Sequence, residues 1–215
     1  MTSVTVATPL AVRLRAETRE AHARLEDSLD LLGGDLSRAR YRLLLEGFLG
    51  FHAVLEPRLD LWHDRRGLLD WPVRRKLDLL RQDLVDLGAT GPDLDRLPWC
   101  PDAPAVGLTA QALGALYVVE GATLGGRVIA EHLRGSDVPS SALRFFASYG
   151  EQVGRRWNRF RAVSADWVGS DPERADAVVD SAVATFEVLA RWLAPAAVLR
   201  APGGASTAPA MVVTL

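Results

Sequence analysis

The sequence predicts an all-α protein, a single domain of six to eight helices. Apolar residues recur at helical spacing in several long segments, and no segment shows the strict alternation that is typical of a β-strand. The chain has 215 residues, of which 48% are hydrophobic, and this is enough for one sizeable apolar core. Because no internal repeat or heptad run is present, we expect one helical bundle.

The composition excludes several classes of protein. The formal net charge is -2 without a concentrated basic segment, so duplex nucleic acid is not an expected partner. Cys100 is the only cysteine, which excludes an intrachain disulfide and a multi-cysteine zinc site. The first residues lack the basic segment of a signal peptide, and no apolar run reaches the roughly 18–20 residues that span a bilayer. We therefore expect a cytoplasmic protein that binds no membrane.

The first predicted helix runs from Leu10 to about Leu31. Residues 1–9 are expected to form a flexible leader, and Pro9 suits the start of a helix because its missing N–H is not needed there. Gly33 and Gly34 are predicted to end the helix. Its stripe of positions facing the core contains Leu14, Thr18, His22, Leu25 and Leu29.

His22 lies in this apolar stripe and has two interpretations. A single histidine there is commonly a core residue whose ring nitrogens are satisfied. Arg15, however, precedes it by seven residues, about 10 Å along the same face. The imidazole would then bind the centre of a ligand whose anionic end the guanidinium holds, or Arg15 would simply be solvated.

Ser37 is a suitable N-cap for a second helix, from Arg38 to about Trp62. Pro57 is expected to kink this helix or to end one half of it. His52 lies inside it among apolar neighbours.

Pro72 is predicted to start a third helix, Val73 to Leu87, which has one apolar stripe and is interpreted as an amphipathic surface helix. The proline-rich segment from Gly88 to Gly107 is predicted to be a long loop. Such a loop is usually functional or mobile, although this one would also serve to carry the chain across to the next helix.

The helix predicted from Leu108 to about Leu133 contains three glycines in its middle. One of its faces carries Tyr117, Gly121, Gly125 and Val128, and Gly126 follows directly. Each internal glycine costs about 0.5–1 kcal/mol relative to alanine. Either another helix packs closely on this face, or a flat ligand does.

Two more helices complete the predicted domain, which covers residues 10–194. The first runs from Ser140 to about Val163 and has an aromatic stripe, which is more often core than cofactor site. The second starts at Asp171-Pro172 and ends near Leu193. Residues 195–215 have linker composition and are predicted to be disordered.

The signatures of several common enzyme classes are absent, namely GxSxG, HExxH, a Walker loop and GxGxxG. The four histidines lack the Glu-x-x-His spacing of a two-iron helical site, so we expect no metal site built only from side chains. Haem iron needs a single protein ligand, and a neutral histidine serves. A histidine in an apolar stripe, a glycine-relaxed helix, and Arg15 and Tyr117 as anchors would suit this cofactor.

Two motifs carry a specific resemblance. LRAETREAHARLE resembles the proximal-helix motif of the haem oxygenases, and GATLGGRVI resembles their distal-helix motif. YVVEGATLGG is similar to the bacterial branch that includes phytochrome-associated enzymes, and FFASYGEQVGRRWNRF and ATFEVLARWL fit that branch in order and spacing. The resemblance covers about Leu10 to Leu193. It implies the haem oxygenase fold, with haem b between the proximal helix and a glycine-kinked distal helix.

The resemblance also implies roles for individual residues. His22 would be the proximal ligand of the haem iron, and Arg15 and Tyr117 would hold haem propionates and so influence which meso carbon is cut. The distal-helix backbone would approach the haem at its glycines. The implied cofactor contacts on the distal helix and elsewhere are Gly121, Gly125, Gly126, Phe186 and either Arg155 or Arg159.

One position departs from the mammalian-type pattern. Those members have an aspartate directly after the first distal glycine, where this chain has Ala122. His52 falls where they have a tyrosine in the same water network. We therefore hypothesise that His52, or backbone carbonyls near Gly121, order catalytic water, with a packed core residue as the alternative for His52.

The implied reaction is oxidative cleavage of haem to biliverdin, carbon monoxide and ferrous iron. It uses O2 and electrons from a separate donor such as ferredoxin or a flavoprotein reductase, since the chain has no flavin or nicotinamide motif. The biliverdin would supply a photoreceptor, or the reaction would serve iron acquisition. The alternatives are a non-catalytic haem carrier or sensor on the same fold, and a helical interaction module without cofactor.

Overall fold

The computed structural model describes residues 8–32 and 36–198, and this part of the chain contains helices and no strand, as the sequence predicts. The α-helices are α1 Leu10–Leu29, α2 Arg38–Arg66, α3 Leu77–Asp86, α4 Gly91–Asp95, α5 Thr109–Leu133, α6 Arg144–Ala147, α7 Val153–Val168 and α8 Pro172–Val198. Short 3-10 turns cover Trp71–Arg74, Ser140–Ala142 and Gly150–Gln152.

Several predicted features lie outside the described residues, namely most of the expected leader, the expected helix end at Gly33 and Gly34, and the tail beyond residue 198. α1 ends earlier, at Leu29, because Asp30 adopts a left-handed φ of 41°. α8 continues through Pro195 to Val198, past the predicted domain end at residue 194.

α2 is longer than predicted and is not ended by Pro57. The helix starts where the Ser37 hydroxyl accepts a hydrogen bond from the N–H of Arg40, and it continues to Arg66. Leu55 and Leu59 on either side of the proline are fully buried. Their burial stabilises the helix against the loss of one backbone hydrogen bond.

The prediction of one surface helix from Val73 to Leu87 is wrong. A 3-10 turn ends at Arg74, and α3 starts only at Leu77, because the Glu56 carboxylate of α2 accepts hydrogen bonds from the N–H groups of Lys76 at 2.7 Å and Leu77 at 3.1 Å. α3 also buries Asp83, whose carboxylate accepts a hydrogen bond from the N–H of Phe145. The helix therefore belongs to the interior packing.

The single helix predicted from Ser140 to Val163 is also wrong. The chain forms α6, two 3-10 turns and α7, with a break at Gly150, whose φ of 51° is incompatible with a continuous α-helix. The predicted long loop contains α4 and lies against α2. There the N–H of Cys100 donates to the carbonyl of Gly50, and an added Cβ at Gly50 would lie 2.3 Å from the Pro98 oxygen.

α8 is the central packing element because it packs along both α1 and α5, which do not pack along one another. α7 contacts all three of these helices. α5 is one uninterrupted helix through its glycines, and by length and composition alone it is apolar enough to cross a membrane, which the sequence expectation overlooked. However, 61% of that apolar window is buried inside the protein, as in a core helix.

Candidate functional site: a cleft between α1, α5 and α7

A cleft of about 520 Å³ opens where α1, α5 and α7 meet. This volume is typical of a small-molecule site. α1 contributes a polar row to its lining, made of Arg15, Thr18, Arg19 and His22. α7 contributes Trp157, Phe160, Arg161 and Ser164, which follow one another at helical spacing on one face. The lining therefore combines aromatic surface with cationic side chains.

His22 lies in this cleft with 21% of its side chain exposed. Its ring meets that of Phe186 edge to face, with the ring centroids 5.3 Å apart. Burial lowers the pKa of His22 below its ordinary value of 6.5. The imidazole is therefore neutral at neutral pH, which is the form that binds a metal ion.

Glu26 lies one turn after His22 on α1, and our sequence analysis did not identify it. Its Oε1 is 3.5 Å from Nε2 of His22. Burial, together with the charge of Asp27, raises the pKa of the Glu26 carboxyl. The separation of four residues was the available signal, because it places both side chains on one helix face.

Tyr117 is the residue through which α5 lines the cleft. It is 3% exposed, and none of the described residues gives its hydroxyl a hydrogen bond of standard geometry. Its ring packs against Trp157 with the centroids 5.7 Å apart. Burial raises the pKa of Tyr117, and the Thr18 hydroxyl and the charges of Arg15 and Arg161 oppose this shift. The buried Tyr117 hydroxyl, with only the Thr18 hydroxyl close to it, therefore lies beside a cationic surface.

The arginines of the cleft differ in part from those predicted. Arg15 lines it as predicted, and Arg19 lies one turn further along α1. Arg159 and Arg155 are exposed and do not line it, whereas Arg161 does. Arg161 follows Trp157 by four residues, so it shares the helix face of the aromatic stripe of α7.

The three glycines of α5 do not share one environment. Gly121 and Gly125 follow Tyr117 on its face, about 6 and 12 Å along the axis. Gly126 instead faces α6, because a Cβ there would lie 2.5 Å from the Phe146 carbonyl oxygen. Close packing of backbones therefore explains Gly126, and the structure does not place it as a cofactor contact.

His52 lies in the core and does not line the cleft. It is 4% exposed, its Nδ1 is 2.9 Å from Oε1 of Glu56, and its ring contacts those of Phe51 and Phe145. The packed-core alternative describes these contacts, and a function for His52 in ordering water stays a prediction. Ala122 is exposed on α5.

No group of three or more His, Cys, Asp or Glu side chains among residues 8–32 and 36–198 is arranged to hold a metal ion. The cleft offers a single histidine instead. A metal bound at His22 would therefore need to bring most of its ligands with it, as haem iron does.

Comparison with known proteins gives a consistent result. The family model for heme oxygenases matches residues 8–195. The heme oxygenase of Xanthomonas campestris pv. campestris (strain 8004) is 33% identical over 139 residues, which cover 65% of this chain and 76% of that protein.

Solved structures share the fold. The NO- and CO-bound heme oxygenase of Neisseria meningitidis matches with a TM-score of 0.72 and 22% identity, over 92% of this chain and 96% of that one. The heme oxygenase of Leptospira interrogans matches with a TM-score of 0.73 and 17% identity, over 87% of this chain and 100% of that one. Heme oxygenase-1 of Synechocystis sp. PCC 6803, solved in complex with heme, has a TM-score of 0.66 and 18% identity, over 89% and 95% of the two chains.

Proposed function

Because the chain belongs to the haem oxygenase family, we propose that its cleft between α1, α5 and α7 binds haem b and that the enzyme opens the ring to biliverdin, releasing carbon monoxide and ferrous iron. The observation that carries this proposal is the meeting of His22, Tyr117 and a group of arginines in one cleft. A neutral imidazole suits the iron. The cations and an unpartnered hydroxyl suit the carboxylates at the other end of the molecule.

His22 is the proposed axial ligand. One ring nitrogen would bind the iron while the other, Nε2, lies 3.5 Å from the Glu26 carboxylate, which favours one tautomer and one direction of the ring. The edge-to-face contact with Phe186 restricts rotation of the imidazole. These two contacts make His22 a pre-oriented ligand.

The arginines and Tyr117 are the proposed anchors of the haem propionates. Arg15 and Arg161 approach the cleft from α1 and α7, and Tyr117 supplies a buried hydroxyl from α5. Since haem has two propionates on one edge, anchoring them fixes its rotation in the cleft. The anchors therefore select which meso carbon is oxidised.

The backbone of α5 at Gly121 and Gly125 is the proposed opposite wall, although of α5 only Tyr117 lines the cleft itself. Glycine at these positions leaves the helix surface flat on the face that Tyr117 shares, so that the backbone approaches the cofactor closely. Haem when bound supplies the iron that activates O2 and the ring carbon that is oxidised, and the electrons come from a separate donor, such as ferredoxin or a flavoprotein reductase. The protein contributes ligation, orientation and exclusion of water.

The test is a haemin titration of the parent protein beside His22→Ala, followed by addition of ascorbate in air. We expect a Soret band in the parent protein that is weakened or shifted in the variant, and its replacement by the absorption of biliverdin. A parent protein with no Soret band would exclude haem binding. Haem that stays intact under reductant and air would favour the carrier or sensor.

A further inference from the structure

A second buried polar group lies on α5, outside the cleft. Glu120 immediately precedes Gly121 and is 1% exposed. One of its carboxylate oxygens accepts a hydrogen bond from the Tyr149 hydroxyl at 2.7 Å, and the other pairs with the Arg74 guanidinium. These bonds connect α5 to the 3-10 turn Trp71–Arg74 and to the segment between α6 and α7.

Lys76 packs against this group and is the only lysine in the chain. It is 3% exposed, and no hydrogen-bond partner for its Nζ is present among the described residues. The Nζ lies 3.3 Å from the centroid of the Tyr149 ring, a cation–π distance. The backbone N–H of Lys76 donates to Glu56, which fixes where the side chain starts.

Charged groups face the amine from each element around it. They are Glu120 of α5, Glu56 of α2, Arg156 of α7 and Arg74 of the 3-10 turn, besides the Tyr149 ring. Burial lowers the pKa of Lys76 most strongly, the two glutamates raise it and the two arginines lower it further. Together these effects move the pKa from 10.5 to about 7. The ring face attracts only the charged form.

We propose that Lys76 is a positioning residue that makes the placement of α5 at Gly121 depend on pH. Its ammonium holds the Tyr149 ring, and Tyr149 holds Glu120 through its hydroxyl. The neutral amine lacks this attraction, so loss of the proton loosens α5 next to Gly121. The consequence for haem oxidation rests on the proposed function. The contact from Lys76 through Tyr149 to Glu120, which we call the brace, is a property of the protein without haem.

The first measurement uses the single lysine. In protein labelled biosynthetically with lysine that carries 13C at Cε, Lys76 gives a single Cε NMR signal. We expect it to titrate with a midpoint near 7. Tyr149→Leu removes the ring and lowers the protonation constant by about two- to fivefold, whereas Tyr149→Phe keeps the ring and the midpoint. The proposal would be overturned if the signal shows a charged amine up to about pH 10. Equal midpoints in the two variants would also overturn it.

The second measurement is hydrogen exchange of the α5 amides around Gly121, corrected for intrinsic rates. Amides that exchange only by global unfolding are excluded, because the free energy of unfolding rises with pH as Lys76 loses its proton. For amides that exchange by local opening, in which Lys76 stays buried, we expect the protection in the parent protein to fall by about two- to fivefold between about pH 6 and pH 9. It should stay constant in Lys76→Arg, which is charged throughout, and in Lys76→Met, which has no charge. If the protection in the parent protein is as constant with pH as in the two variants, the brace is refuted.

The functional measurement is the ratio of biliverdin isomers over the same pH range. We expect a change of about twofold in the parent protein and none in Lys76→Met. An unchanged ratio in a parent protein whose α5 protection does change overturns the positioning role. Absence of biliverdin in every sample instead contradicts the proposed function, and the exchange data still decide the brace.

Discussion

Oε1 of Glu26 lies 3.5 Å from Nε2 of His22, one helical turn apart on α1. A carboxylate at this position favours one tautomer of the imidazole and increases its basicity as a ligand. Both residues lie on α1, so their backbone positions are set before any ligand binds. His22 and Glu26 therefore act as a pair in the proposed site.

We predict that Glu26→Gln binds haem about tenfold more weakly and raises the reduction potential of the bound haem. The amide no longer increases the basicity of the imidazole as the carboxylate does, and it orients the ring less strongly. Haemin titration and spectroelectrochemistry measure the two effects. Glu20→Gln is the matched control because Glu20 pairs with Arg24 on the same helix, away from the cleft. Equal behaviour of the two variants would show that Glu26 has no influence on His22.

Tyr117→Phe is predicted to have opposite effects on the free and the haem-bound protein. The buried hydroxyl makes no hydrogen bond of standard geometry to the described residues, so its removal stabilises the free protein by about 1 kcal/mol. Loss of a propionate contact weakens haem binding by about tenfold. Urea unfolding and haemin titration measure these quantities.

Tyr41→Phe serves as the control for this prediction. The Tyr41 hydroxyl is equally buried but donates to the Ala142 carbonyl at 2.7 Å. Its removal should destabilise the protein by about 1–2 kcal/mol and leave haem affinity unchanged. A free Tyr117→Phe protein that is as destabilised as Tyr41→Phe would mean that the Tyr117 hydroxyl is satisfied.

Arg161→Ala is predicted to weaken haem binding by about tenfold and to change the ratio of biliverdin isomers. The reason is that Arg161 lines the cleft from α7, as Arg15 does from α1. Arg159→Ala removes the same charge two residues away, outside the lining, and should change affinity by less than about twofold. Product analysis by chromatography and haemin titration distinguish them. Equal losses in the two variants would indicate a general effect of charge.

Helix positions and helix faces depend on local sequence pattern, and these could be predicted. Apolar periodicity located α1 and α5 and placed His22 on the face of α1 that meets the rest of the protein. Arg161, and not Arg159, lines the cleft, and the stripe through Trp157 and Phe160 includes Arg161. A role for Arg159 at a propionate stays a prediction.

Features that depend on distant segments could not be predicted. α3 starts at Leu77 because Glu56, on another helix, caps its amides. The spacing of the α5 glycines is the same whether a ligand or a backbone approaches. Only the fold shows that Gly126 meets the Phe146 carbonyl. The link from Lys76 through Tyr149 to Glu120 joins three segments that no local pattern relates.

The burial of Lys76 predicts a specific dependence of stability on pH. The pKa of Lys76 is about 7 in the folded protein and 10.5 as the ordinary value for the unfolded chain. Between these values the unfolded chain binds more protons, so the free energy of unfolding rises with pH, by at most about 1.4 kcal/mol per pH unit. Below pH 7 both states are protonated, and the cost of the buried charge is fully present.

Lys76→Met lacks this titration and isolates its effect. Relative to the parent protein, we expect the variant to be most stable below pH 7 and to lose this advantage progressively as the pH rises towards 10.5. Urea unfolding of both proteins without haem, from about pH 6 to pH 9, measures the difference and cancels the titration of all other groups. A difference that is constant with pH would mean that Lys76 keeps its proton over the whole range. The Tyr149 contact would then act as a permanent brace of α5 and not as a pH-dependent one.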